Sequence, residues 1–218
     1  MLNNNYSNRL IGRTRGRSKK KIDLKKYYEK LNKSKVGNFD KNTDYVLDIG
    51  TGYGETTIFL AKKYTKKIII ACEKYIDGNL ILLKKIELYN IKNIKLHAGN
   101  VYDVLSKIKN EYFGLVFIFF PDPWPKNKHI KRRLITSSFL IELHKTLKHE
   151  GEVYITTDST IYKRFILNAI HKSKDHFLWV NQSELNLDIK DYFNIETKYY
   201  KKAVNSQRKP SLFILRKL

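Results

Sequence analysis

From Tyr45 onward the sequence alternates short β-branched or apolar runs with helix-length segments, and that alternation constrains the fold more than any other feature. Tyr45-Val-Leu-Asp-Ile49 reads as a strand, and Glu55 to Lys63 as a helix with an apolar Ile58-Phe-Leu-Ala61 run. Lys67 to Cys72 is a second strand, Gly78 to Leu88 a helix, Asn93 to His97 a third strand and Val101 to Lys109 a short helix. Phe113 to Phe119, Ser137 to Leu147, Glu152 to Thr156 and Ile161 to His171 continue the pattern as strand, helix, strand, helix. Phe177 to Val180 and Ser211 to Leu215 read as two late strands. Strands separated by helices of this length imply right-handed crossovers, hence an α/β fold with a mostly parallel seven-stranded sheet and helices on both faces.

In an open sheet of this kind, ligands sit beyond the carboxyl ends of the strands. Asp48 to Gly54, Glu73, Asn100, Asp122 and Asp158 all fall at or just after such an end, on five successive strands. They are expected to converge on one rim. Loops are polar in any protein, but acids and amides after five strands in a row are unusual in a chain with so few acids.

Gly50-Thr-Gly52-Tyr-Gly54 follows a strand and opens a helix. Glycines there permit a tight turn and close approach of a ligand to backbone. The dinucleotide spacing G-x-G-x-x-G requires glycine at position 55, where the chain has Glu55. An acid in the first turn already occupies the positive end of the helix dipole and repels a pyrophosphate. Asp48 adds negative charge before the loop, and Glu73, 23 residues after Gly50, stands where an acid grips a ribose. S-adenosylmethionine, with a sulfonium, an ammonium, a ribose and no phosphate, suits such a pocket better than a dinucleotide does. Asn100 both donates and accepts, which suits an adenine edge.

Phe120-Pro-Asp-Pro-Trp-Pro-Lys126 places one carboxylate, Asp122, between two prolines at a strand end. Proline fixes its own φ and restricts the residue before it, so the turn keeps its shape without a ligand. Five lysines or arginines fall within residues 126–133, with no acid among them. A stiff acidic turn opening into a cationic patch fits an active site that handles a polyanion. Trp124 either stacks on a base or buttresses the turn.

Charge supports this reading. Across 218 residues, 43 Lys+Arg against 21 Asp+Glu give +22, a balance typical of proteins that meet phosphate. Part of the lysine content is equally explained by AT-rich codon usage, since Asn, Ile and Tyr are abundant too. Residues 1–36 hold twelve Lys/Arg against Asp23 and Glu29, with no apolar periodicity in Arg13 to Lys21. They read as a flexible basic arm, RNA-binding or simply solvated, before a single domain over 37–218. Cys72 is the sole cysteine, which excludes an internal disulfide; it reads as a buried strand residue. The six histidines show no metal-ligand spacing, so no metal is expected, and only His129 falls in a functional patch. No apolar stretch reaches the length of a membrane span and the N-terminus lacks a secretory pattern; a cytoplasmic protein is expected.

Asp48-Ile-Gly-Thr-Gly-Tyr-Gly-Glu55, Glu73, the Phe120 to Lys126 turn with His129 and Lys131-Arg-Arg133, and Thr156-Thr-Asp158 together resemble the bacterial tRNA (guanine-N7-)-methyltransferase family. That family has a Rossmann-like class I methyltransferase fold and acts on a guanine in the tRNA variable loop. The resemblance spans about residues 9–217. It implies that Asp48, Gly50, Gly52, Gly54, Glu73, Asn100 and Asp122 hold S-adenosylmethionine, and that Asp122 is catalytic. It implies that Lys126, Asp158, Thr197, Lys198, Tyr199 and Tyr200 contact the substrate guanosine, and that Lys128, His129, Lys131, Arg132 and Arg133 lie along the tRNA. Three positions depart from the family pattern: Asp48 for Glu, Asn100 for Asp, and Tyr200 for a Glu expected at the guanine edge. Two other functions remain open: methylation of an exocyclic base amine, and RNA binding without catalysis on the same fold.

Overall fold

The computed structural model describes residues 23–108, 111–182 and 188–218. One seven-stranded sheet runs through it: β1 (Tyr45–Ile49), β2 (Ile68–Cys72), β3 (Ile94–His97), β4 (Phe113–Phe119), β5 (Leu147–Thr157), β6 (Phe177–Trp179) and β7 (Ser211–Lys217). Their spatial order is β3-β2-β1-β4-β5-β7-β6. The first five strands are parallel, while β7 pairs antiparallel with both β5 and β6. The order reverses between β1 and β4, which opens a crevice above their carboxyl ends.

Strand residues alternate between two apolar layers because successive side chains point to opposite faces. Leu47, Ile70, Val116, Ile118 and Ile155 pack under α4 (Val101–Leu105), α5 (Ser137–His144) and α6 (Thr160–His171). Val46, Ile69, Ala71, Phe117 and Ile214 pack on the other face, under α2 (Glu55–Lys63), α3 (Ile76–Leu88) and α7 (Lys198–Asn205). The fold is Rossmann-like, with helices on both faces.

The structure departs from the sequence-based expectation in three places. α5 stops at His144, and Leu147 instead opens an eleven-residue β5 beside Phe113. The pairing then jumps from Phe113–Leu147 to Leu115–Glu152, a bulge that an unbroken strand pattern does not announce. α4 ends at Leu105, earlier than its apolar pattern implies.

The third departure concerns the N-terminal arm. Its proximal part, Leu24–Ser34, is a helix, α1, capped by Asp23, whose carboxylate accepts from Lys26 N at 3.1 Å. Tyr27 is 2% exposed and packs with the α3 layer, and Lys30 pairs with Glu87. One aromatic and one leucine, Leu31, on a charged helix suffice to dock it, too few to register as apolar periodicity. The Arg13 to Lys21 part of the expected arm lies outside the described residues.

Candidate active site

A cavity of about 670 Å³ opens where the strand order reverses. The glycine loop, Glu73, Asn100, the Phe120 to Pro125 turn, Arg132 and Tyr199 line it. Glycine loop and proline turn therefore line the same crevice.

The loop leaves β1 with Gly50, Gly52 and Gly54 all at positive φ. Gly54 is the N-cap of α2 at φ 79°, and a Cβ there would stand 2.6 Å from Leu82 Cδ1. Glycine at 54 thus satisfies both a left-handed backbone and close packing against α3. Gly78 is its counterpart on α3, since a side chain there would collide with the Gly52 carbonyl. The sequence shows Gly78 only as an early helix residue and carries no sign of that approach.

Glu73 follows β2 and ties the loop down. Its Oε2 accepts from Gly52 N and its Oε1 from Tyr75 N, each at 2.8 Å. Burial raises its pKa, and these backbone donors work against the rise. The Lys74 N–H also bonds to the carboxylate, which still keeps lone-pair capacity for a ligand hydroxyl. Asn79 of α3 donates to the Glu73 carbonyl at 3.0 Å and so fixes the same residue from behind.

Asp48 is not in the cavity wall. It shares the parity of Val46, so its side chain points toward α2, fully buried, and accepts from Thr57 Oγ1 at 2.6 Å. Burial, reinforced by Glu73, pushes its pKa up to about 7. Expected as a ligand contact, it instead anchors the start of α2 beneath the glycine loop. Asn100 lines the cavity as the N-cap of α4, where Oδ1 accepts from Tyr102 N at 3.2 Å and Asp103 closes a capping box. That leaves the Nδ2 donors for other work.

In the proline turn, Asp122 is exposed and lines the cavity between Pro121 and Pro123. Its charge raises the pKa of Tyr199, after the larger effect of burial. Phe120 and Tyr199 lie nearly parallel, 24° apart with centroids at 6.5 Å, both on the cavity wall. Trp124 also lines the cavity, with the Arg132 guanidinium over its ring at 5.0 Å and the His129 ring edge-on at 5.5 Å.

Several expected contacts are placed elsewhere. Arg133, expected along RNA, is 5% exposed and donates to the carbonyls of Pro123 and Trp124 at 2.8 and 3.2 Å. Tyr200, expected at the guanine edge, is 6% exposed and belongs to the α7 core layer. Helix geometry decides this: residues three and four apart share a face, so Tyr200 and Ala203 turn to the core together, and Tyr199, at 53% exposure, is left beside the cavity. Thr197 is buried as the N-cap of α7, its Oγ1 accepting from Tyr200 N at 3.1 Å. Lys198 sits at the rim with its ammonium 4.4 Å from the Tyr53 ring centre. Asp158 is outside the cavity wall and accepts from Arg208 Nε at 2.8 Å, a partner that no local pattern announces. Lys126, Lys128 and Lys131 are exposed, and His129 and Arg132 partly so. Cys72 is buried, with burial raising its pKa, and so is poorly suited to nucleophilic attack. Among the described residues no helix is long and apolar enough to cross a membrane, and no group of three or more His, Cys, Asp or Glu is arranged to hold a metal.

Comparison with known proteins supplies the family. A family model described as putative methyltransferase matches residues 42–211. A tRNA (guanine-N(7)-)-methyltransferase from Buchnera aphidicola subsp. Baizongia pistaciae is 36% identical over 170 residues, covering 77% of this chain and 69% of that one. Its counterpart from Wolbachia pipientis is 32% identical over 202 residues, covering 91% and 88%. A solved putative methyltransferase from Streptococcus mutans, in complex with SAH, shares the fold with a TM-score of 0.55 at 16% identity, covering 91% of this chain and 99% of that one. With its reversed strand order, glycine loop and proline-caged acid, the chain belongs to the tRNA (guanine-N7-)-methyltransferase family.

Proposed function

We propose that the protein transfers the methyl group of S-adenosylmethionine to N7 of a guanine in the variable loop of tRNA. Family membership supports tRNA and guanine N7. The observation that carries the donor and the catalytic residue is one cavity lined by the glycine loop, Glu73 and Asp122 together. In this reading residues 37–218 are the catalytic unit, the basic segment before them adds to RNA attraction, and the protein works in the cytoplasm.

The residues present fit the donor. A volume of about 670 Å³ falls in the range of pockets that enclose a cofactor-sized ligand. Glu73 is preorganised by two backbone donors and receives the ribose hydroxyls. Asn100 offers its amide to the adenine. Bound there, S-adenosylmethionine supplies an electrophilic methyl group on a positively charged sulfur.

Guanine N7 carries a lone pair and no proton at neutral pH, so the protein needs no general base. Its task is alignment, which in well-oriented intramolecular reactions removes about 7–11 kcal/mol of barrier. Tyr199 and Phe120 offer aromatic surface for the base beside Asp122. The purine becomes cationic as N7 is alkylated, and the Asp122 carboxylate favours that charge from a fixed turn. Lys126, Lys128, Lys131 and Arg132 attract the phosphates nearby.

The test is to incubate the protein with labelled methyl donor and bulk tRNA, then identify the modified nucleoside after digestion. The expected product is 7-methylguanosine from the variable loop. A guanine methylated on its exocyclic amine, or unmodified tRNA with intact binding, would sink the proposal.

A further inference from the structure

The cationic run after the proline turn is split in function. Arg132 lines the cavity and lies over the Trp124 ring. Arg133, the next residue, turns inward. Its guanidinium reaches the carbonyls of Pro123 and Trp124 while lying 4.8 Å from the Phe165 ring centre and 5.5 Å from that of Tyr162.

The turn it grips is strained. Phe120 has φ 52° and Trp124 φ 41°, left-handed values that bulky residues avoid, and each precedes a proline. Such conformations persist only where the surroundings over-determine them. At the first, Phe120 N donates to the Thr156 carbonyl and to Thr156 Oγ1, both at 3.1 Å. At the second, the two bonds from Arg133 hold the backbone, and Asp122 lies between the two anchors.

We propose that Arg133 is a positioning residue: it clamps the Pro123–Trp124 backbone against α6 and thereby sets where Asp122 stands, while making no contact with RNA. The proposal rests on the functional reading above for its effect on catalysis, though not for the clamp itself. A planar guanidinium bonds to two carbonyls in a fixed geometry, and an ammonium does not. Lysine at 133 therefore keeps the charge and loses the clamp.

The chain has two tryptophans, so Trp179→Phe leaves Trp124 as the sole tryptophan, which is excited selectively over the 15 tyrosines at the red edge of the absorption band. In that background Arg133→Lys is compared with Arg133, without tRNA, by acrylamide quenching. Single-turnover methylation at saturating tRNA and the salt dependence of tRNA affinity are measured alongside. Quenching of Trp124 is expected to rise and the methylation rate to fall about 10- to 100-fold, as for a small misplacement near the reacting atoms. Affinity and salt slope are expected to hold. Unchanged quenching overturns the clamp whatever the rate does. An Arg133→Ala variant, which removes the charge as well, tests the alternative: a salt slope lower by about 0.7–0.9 with quenching unchanged makes Arg133 a phosphate contact instead. If Arg133→Lys does not fold, Phe165→Leu, which removes the ring beneath the guanidinium, is expected to shift quenching and rate in the same directions by less; no shift overturns the proposal. A wild-type protein that fails to methylate tRNA rejects the functional reading alone, because quenching still decides the clamp.

Discussion

The Thr57 hydroxyl donates to a fully buried Asp48 carboxylate at 2.6 Å, beneath the loop that carries the three glycines. Unfolded, Asp48 releases its proton near the ordinary aspartate value of about 3.9. Folded, burial and the nearby Glu73 hold the proton until about pH 7, with Thr57 only partly offsetting them. Between those limits the native state binds more protons, so this group's contribution to stability is present below about pH 4 and is lost as pH rises through 7. Asp48→Asn is expected to flatten that fall. Melting curves of both proteins from pH 4 to 8 check it, and parallel pH profiles would refute the assignment.

Asp122→Asn keeps the size of the side chain and removes the charge that favours a methylated, cationic purine. Single-turnover methylation is expected to fall about 10²- to 10³-fold, as when one preorganised electrostatic group is removed elsewhere. Affinity for tRNA is expected to stay within about twofold. Methylation at the wild-type rate would remove Asp122 from the chemistry.

Glu73→Gln places an amide where two backbone N–H groups converge on two carboxylate oxygens. One N–H then faces another donor, and the ribose loses an acceptor. Hydrogen bonds to charged groups contribute about 1.5–3 kcal/mol, so affinity for S-adenosylmethionine is expected to fall about 10- to 100-fold. At 100 times the wild-type Kd, the ligand stabilises the wild type by about 2.7 kcal/mol. A thermal-shift titration is expected to show between about half and most of that lost in the variant.

Tyr200→Glu restores the residue type of the family pattern, and on sequence grounds it should improve base recognition. Because Tyr200 is packed in the α7 layer, with the Lys190 ammonium 5.2 Å from its ring centre, the carboxylate is instead expected to destabilise the fold by about 2 kcal/mol or more. Denaturant unfolding measures the loss, and methylation assays are expected to show no gain. A stable variant with a higher rate would mean that α7 presents position 200 to the substrate.

The exposed lysines of the basic turn predict a steep salt dependence of tRNA binding. Lys128→Ala and Lys131→Ala are each expected to reduce the slope of log affinity against log salt by about 0.7–0.9. Titrations between about 50 and 200 mM salt measure it. Slopes unchanged in both variants would move the RNA track off this turn.

Much of the site is legible in one dimension because it depends on chain direction alone. A parallel strand delivers whatever follows it to the same rim, so Glu73, Asn100 and Asp122 are brought to the cavity by the strand pattern itself. The glycine loop is legible for a related reason: three left-handed turns in five residues leave few other side chains. Side-chain direction within an element is less legible. Asp48 sits one residue from the strand end, and the two-residue alternation sends it under α2 rather than into the cavity. Tyr199 and Tyr200 are chemically alike, and only the seating of α7 against the sheet assigns one to the cavity and the other to the core.

The sequence by itself determined the parallel sheet, the glycine loop and the acid caged by prolines, because periodicity and backbone restriction act over a few neighbouring residues. Tertiary structure alone decided that Arg133 faces inward, that Asp158 pairs with Arg208, and that α1 docks through Tyr27. Each of those depends on a partner distant in the chain, and no local pattern specifies which surface a long side chain will meet once the helices have packed.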